Sequence, residues 1–322
     1  MIDQPPTAPS RPPHYLAWPV RRVTVTPSMC GQTSLLAARI GDWTWETVSQ
    51  QCGLDVLRAT TTAGLPTYLA FHYVRLRGSD RMPLHTPGFG DPLTVHSQAF
   101  DFGGESVLTL HRLAPGDGTG EGTRQPPDPD EFWDRPRPDC LYAETFNRWI
   151  CRSRPDSNAT LVSASPVGFT HRHLPRLPER YSPRPLTRAA RHRGSLLDGP
   201  PPGTHLLSPP FTTDHQVDPV RDLNGVGLVY FAAYFAIIDA AVLAYWRHLG
   251  RSDAAFLQRR VTDQQLCYFG NVDTDTTMRI SVRAHTGPAA PQGEETLDID
   301  VRERATGRLL AVCAIRLQGS KP

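Results

Sequence analysis

Val226-Gly-Leu-Val-Tyr-Phe-Ala-Ala-Tyr-Phe-Ala-Ile-Ile-Asp-Ala-Ala-Val-Leu-Ala-Tyr-Trp246 is a run of 21 residues with a single charge, Asp239. Its length is that of a membrane span, which takes about 20 apolar residues. Asp239 inside the run and Gly225 and Gly227 at its start argue against that reading, because a charge at bilayer depth is costly. A helix apolar on every side is also what the centre of a curled sheet requires. The run is therefore read as a buried helix from about Val226 to Leu249, with no membrane partner.

Downstream, the stretches 258–268, 276–285, 297–304 and 309–317 are rich in branched and aromatic residues and read as strands. The same order occurs upstream. Residues 29–52 carry Leu35, Leu36, Ile40, Trp43 and Val48 at a helical period and stop at Gly53. Strand-like stretches follow at 67–77, at 93–113 broken by Gly103-Gly104 as a hairpin signal, and at 141–151. One long helix followed by an antiparallel sheet, twice over, predicts an α+β chain in which each sheet curls around its own helix.

The units expected are 23–160 and 205–322. The first thirteen residues hold five prolines, so 1–22 reads as a disordered leader. Residues 114–139, dense in Gly, Pro and Asp, read as a surface excursion. Eleven prolines between Pro166 and Pro219 make 161–204 an extended linker over the surface. Net charge is +2 and Lys321 is the one lysine among 34 basic residues, so no nucleic-acid partner is implied. Six cysteines are scattered without CxxC or CxxH spacing, which reads as a reduced, cytoplasmic protein with no zinc site.

The stretch Asp222-Leu-Asn-Gly-Val-Gly-Leu-Val-Tyr-Phe-Ala-Ala-Tyr-Phe235 resembles the start of the central helix in hot-dog acyl-thioester enzymes. In that register the catalytic Asp or Glu of those enzymes falls on Asn224. A closer resemblance is to the bifunctional acyltransferase/decarboxylase family of leinamycin-type polyketide biosynthesis, whose members are double hot-dog proteins. It is carried by Val-Thr-Pro-Ser-Met-Cys-Gly (25–31), Ile-Gly-Asp-Trp-Thr-Trp (40–45), Thr-Tyr-Leu-Ala-Phe (67–71), Phe-Asn-Arg-Trp (146–149), Ser-Pro-Val-Gly (165–168) and Asp-Leu-Asn-Gly-Val-Gly (222–227). The resemblance implies a double hot-dog fold and conversion of methylmalonyl-CoA to a propionyl group delivered to an acyl carrier protein, with no cofactor. An acyl-CoA and an acyl carrier protein are the partners it implies, and a homodimer is compatible with it. The alternative is a non-catalytic or dehydratase/thioesterase-like hot-dog protein that binds acyl thioesters.

Decarboxylation of a malonyl-type thioester puts enolate charge on the carbonyl oxygen, so fixed donors must sit there. The starts of buried helices offer backbone N–H groups and a positive dipole end, which makes Gly31 with Gln32, and Gly225 with Val226, candidate substrate-binding positions. The same glycines equally allow a tight start to a helix. The acyl-accepting tyrosine implied by the resemblance lies on the strand after the first helix, at Tyr68 or, as the alternate, Tyr73. Strand alternation places Tyr68 with Ala70 and His72, and Tyr73 with Leu69 and Phe71, which favours Tyr68 for a polar cleft. Its phenol could act as a nucleophile, as a hydrogen-bond donor or as cross-strand packing. Asn224 reads either as a donor to the thioester or as a helix N-cap, and Asn147 as structural. Seven arginines between Arg172 and Arg193 could meet CoA phosphates or an acidic carrier, or be a solvated face.

Overall fold

A computed structural model describes residues 18–116, 126–287 and 294–318. The expected leader up to residue 17 and part of the 114–139 excursion lie outside the described residues. The first unit contains β1 (Val20–Thr24), helix α1 (Thr33–Cys52), β2 (Tyr68–Arg77), β3 (Pro92–Asp101), β4 (Ser106–Pro115), β5 (Leu141–Arg152) and β6 (Leu161–Ser163). Helix α2 (Arg184–Arg193) lies between the units. The second unit contains β7 (His205–Leu206), β8 (Phe211–Gln216), helix α3 (Phe231–His248), a short helix Asp253–Leu257, β9 (Arg260–Tyr268), β10 (Thr277–Thr286), β11 (Glu295–Glu303) and β12 (Leu309–Gln318). The Gly103-Gly104 break is a hairpin between β3 and β4.

All strands join one antiparallel sheet in the order β1-β3-β4-β5-β2-β9-β12-β11-β10-β7, with β6 on β5 and β8 on β10. The seam between units is the pairing of β2 with β9, from Tyr73 opposite Cys267 to Arg77 opposite Asp263. Inside the curl, α1 and α3 share one core with Val74, Leu76, Leu266, Ile280 and Ile299 from both halves of the sheet. The fold is a double hot-dog, α+β as read from the sequence. Among the described residues no helix is long and apolar enough to cross a membrane. Asp239 in α3 meets Arg259 at 2.8 Å, so the one charge of the run is paired. The two helices touch where Gly41 leaves room, since a Cβ there would strike the ring of Phe231.

Three expectations are corrected. Trp18 and Val20–Arg22, taken for leader, belong to the fold: Trp18 is buried and stacks on Phe132, and β1 pairs with β3. The linker is not merely extended. Pro185 sits in the first turn of α2 and Gly194 closes it at φ 70°, the usual placement of those residues. Ala190 and Leu196 then bury against Phe100, Leu108, Phe146 and Val312 on the outer face of the sheet, forming a second apolar layer. Finally, α3 starts at Phe231 and not near Val226, because residues 222–229 form a closed turn.

Candidate functional site

The seam between the units is incomplete, and the site lies in the gap. Strands β2 and β9 pair only from Tyr73 onward, so Tyr68–His72 leave the side of β9. A β-bulge at His72 causes this: β2 and β5 slip between Phe71 and Tyr73. A bulge inserts one residue and reverses which side chains face each way beyond it. Leu69 and Phe71 therefore face inward before the bulge, Val74 and Leu76 face inward after it, and Tyr73 turns to the outer layer beside Phe146 and Cys267.

That reversal corrects the face assignment for Tyr73. It does not share a face with Phe71; it is buried on the far side and donates to Gln265 Oε1 at 3.0 Å. Burial holds its phenol well above the usual range. Tyr73 is not in the cavity.

The gap opens a cavity of about 660 Å³. Its floor is Trp45, Phe71, Phe231 and Tyr234, with Phe71 and Phe231 stacked at 3.7 Å. One wall carries Tyr68, Ala70 and His72 from β2, and the opposite wall is the 223–231 segment with Phe269, Gly270 and Asn271. Arg148 and Arg191 stand in its lining, and no carboxylate does among the described residues.

The cavity brings together Tyr68, Asn224, Gly225 and Val226 from the two units. Gly31 and Gln32 are exposed and do not line it, so the first helix start contributes nothing to this site. Asn224 is not an N-cap of α3; that position is Tyr230, whose side chain makes no capping bond. The Asn224 Oδ1 accepts from Val226 N at 3.1 Å and Leu228 N at 3.0 Å, an Asx turn that closes the segment. Val226 N–H is thereby consumed inside the turn. The first turn of α3 meets the cavity instead at Tyr230 and Phe231: Tyr230 N–H is taken by the Asp222 carbonyl and Ala233 N–H by Tyr230 O, while Phe231 N–H, at the positive dipole end, has no partner among the described residues.

The segment is braced from several sides. Asp222 is buried, accepts from His215 Nε2 at 2.6 Å and Asp218 N at 2.7 Å, and its carbonyl accepts from Tyr230 N. Asn271 accepts from Val229 N and donates to Val229 O, and Asn158 donates to Gly227 O at 2.7 Å. Arg152 donates to Tyr68 Oη at 3.3 Å, to Asn158 Oδ1 at 2.9 Å and to Val226 O at 2.5 Å, with its guanidinium 5.7 Å from the Tyr68 ring centre. One cation thus fixes the tyrosine of the first unit against the turn of the second.

His72 lines the same cavity as Tyr68 but makes no hydrogen bond to it. Burial, with Arg148 and Arg191 adding to it, pulls His72 down to about 4, so the imidazole is neutral near pH 7. Burial pushes the Tyr230 phenol up to about 12. Asn147 is fully buried and neither of its amide atoms has a hydrogen-bond partner among the described residues. Sequence reasoning missed Arg152, Arg148, Tyr230, Tyr234 and Asn271, which strand or loop patterns do not single out. Among the described residues no His, Cys, Asp and Glu group could hold a metal, and all six cysteines are unpaired.

Fold and cavity define a double hot-dog protein with a pocket at the joint of its units. Residues 20–197, more than half of the chain, match the family described as the LnmK N-terminal hot-dog fold domain, and the chain belongs to that family. Solved structures share the fold at low identity. A protein assigned as an oleoyl thioesterase from Lactobacillus plantarum is 11% identical with a TM-score of 0.58, over 94% of this chain and 96% of that one. The 12:0-ACP thioesterase from Umbellularia californica is 11% identical at 0.54, over 94% and 97%. An acyl-ACP thioesterase from Bacteroides thetaiotaomicron is 10% identical at 0.51, over 93% and 97%. No protein of curated function matches the sequence.

Proposed function

We propose that the protein decarboxylates a malonyl-type acyl-CoA, methylmalonyl-CoA by preference, and transfers the resulting propionyl group to an acyl carrier protein. The observation that carries this reading is a cavity that holds Tyr68 and Asn224 yet, among the described residues, is lined by no carboxylate. A hydrolytic hot-dog site needs a base to activate water, and here the matching position is an amide whose oxygen is already occupied by two backbone N–H groups. An anionic acyl group also meets no like charge in such a lining.

In the proposed reaction the bond between Cα and the carboxylate breaks, CO2 leaves, and the electron pair passes into the thioester enolate. The Phe231 N–H at the start of α3 and the Asn224 amide nitrogen are the donors available to the enolate oxygen. The enolate takes a proton at Cα. Tyr68 serves in one of two ways: as proton donor to that carbon, after which the carrier thiol attacks the propionyl carbonyl and CoA leaves as its thiol; or as the nucleophile whose oxygen attacks that carbonyl, giving its proton to the departing CoA thiolate. In the second case the carrier thiol then takes the propionyl group from the ester, and its proton restores the phenol. Arg152 at its oxygen stabilises negative charge that develops there. Incubation with methylmalonyl-CoA, followed by mass spectrometry, tests the reading. Propionyl-CoA or propionyl carrier supports it, and no turnover with or without a carrier protein overturns it in favour of a binder.

A further inference from the structure

A second groove of about 830 Å³ runs on from the cavity, and His72, Arg148 and Arg191 line both. Its wall is α2, which contributes Arg184, Arg188 and Arg191. Spacings of four and seven put the three on one face of the helix, where like charges oppose one another. Many arginines elsewhere are paired with carboxylates, as in Arg75 with Asp263, Arg283 with Asp298 and Arg251 with Glu295, while Arg77, Arg152 and Arg260 bond backbone carbonyls. Within the same connecting segment Arg176, Arg180 and Arg193 are paired likewise. Arg184, Arg188 and Arg191 have no carboxylate partner among the described residues. Glu105, the one acid in this groove, sits 4.0 Å from Arg148.

Two of the three are already aimed. The Arg184 guanidinium lies 5.3 Å from the Phe102 ring centre and bonds Ser106 Oγ at 3.0 Å. Arg191 lies 4.8 Å over Phe269, a cavity residue. Guanidinium groups held against rings with their remaining N–H groups exposed suit phosphate oxygens.

We propose that this groove binds the phosphate end of a pantetheine thioester, whose arm passes His72 and whose acyl group occupies the apolar cavity. The proposal rests on the acyl-thioester reading of the cavity and adds to it the place where the charged carrier group docks. CoA and the carrier-protein prosthetic arm share this chemistry, a phosphate at the far end of pantetheine.

The test is calorimetric titration of the full chain with CoA, 3′,5′-ADP, holo carrier protein and an acyl-pantetheine that lacks phosphate. Arg188 is exposed and makes no hydrogen bond or ion pair among the described residues, so Arg188→Glu should fold as the native protein does. The expected result is CoA affinity about 10- to 100-fold above that of acyl-pantetheine, lost in Arg188→Glu, with acyl-pantetheine unaffected. Loss for CoA alone assigns the nucleotide phosphates, and loss for holo carrier as well assigns the shared phosphate at the end of pantetheine. Equal affinity of the native protein for CoA and acyl-pantetheine at low salt overturns the groove, as does native CoA affinity in folded Arg188→Glu. CoA binding that depends on Arg188, without CO2 release from methylmalonyl-CoA, overturns the decarboxylase reading and supports the groove.

Discussion

Arg152 on β5 holds Tyr68 on β2 from two directions, with an N–H on the phenol oxygen at 3.3 Å and its guanidinium 5.7 Å from the ring centre. The same side chain bonds the Val226 carbonyl, so the tyrosine and the 222–229 turn share one anchor. Arg152→Gln should therefore act on both walls of the cavity. We expect kcat/KM for CO2 release to fall about 10- to 1000-fold, as for the loss of a placed donor, with stability lowered by roughly 1–3 kcal/mol. Steady-state kinetics beside urea denaturation checks this; native kcat/KM would remove Arg152 from the site.

Tyr68→Phe separates the two roles of the phenol. As a nucleophile, it would carry a propionyl adduct visible by intact mass after brief exposure to methylmalonyl-CoA, and the variant would lose transfer while decarboxylation partly persists. As a proton donor, it would carry no adduct and both steps would slow together. Unchanged kinetics in the variant would reduce Tyr68 to packing.

Asn224→Asp keeps an oxygen acceptor for Val226 N and Leu228 N and adds a charge to a lining without carboxylates. The turn should survive, with a melting temperature near native, while KM for an anionic acyl thioester rises at least about tenfold from like-charge opposition. Asn224→Ala removes both bonds and should cost about 1–2 kcal/mol of stability. Parallel melts and KM values for malonyl and neutral acyl thioesters distinguish the two effects.

Buried histidines make stability fall in acid. Burial, with Arg148 and Arg191, lowers His72 to about 4; burial, with Arg21, lowers His111 to about 3, both from 6.5. Since the folded values are depressed, the contribution is complete above about pH 6.5 and is lost as pH falls through 6.5 toward 4. The difference for His72 is worth roughly 3 kcal/mol. His111 bonds Thr44 Oγ1 and Ser97 Oγ, so its ring sits neutral between two hydroxyls. Urea midpoints should be flat from pH 7 to 8 and drop steeply between pH 6.5 and 4. A flat profile through that window would contradict the burial of these rings.

Gly41→Ala sets a methyl against the Phe231 ring, which is stacked on Phe71. Overpacking here should cost about 1–3 kcal/mol and shift the cavity floor, raising KM. Thermal melts with substrate titration read both.

The fold is legible because the apolar run that becomes α3, Phe231–His248, and the branched, aromatic strands carry signals that tertiary context did not override. Strands β1 and β8 were not, since Val20-Arg-Arg-Val-Thr24 and Phe211-Thr-Thr-Asp-His-Gln216 are short and polar and gain their place by pairing with β3 and β10. Helix α2 did carry signals, Pro185 and Gly194, hidden under the density of prolines around it. In the site, Tyr68 was placed by alternation that holds up to His72. The bulge that turns Tyr73 away is a mismatch between two strands, β2 and β5, and no single strand displays it. Asn224 was marked by register with other helix starts, yet its role in closing a turn depends on Val226 and Leu228 beyond it.

The most direct test of the central claim follows the fate of the carboxylate carbon. Methylmalonyl-CoA labelled with 13C in its free carboxylate, incubated with the native protein and watched by NMR, should lose its label to dissolved CO2 and bicarbonate. Tyr68→Phe and Asn224→Ala should slow that transfer. Label retained in free methylmalonate would mean hydrolysis, and label retained in unchanged methylmalonyl-CoA would mean binding without chemistry; either result contradicts a decarboxylating site.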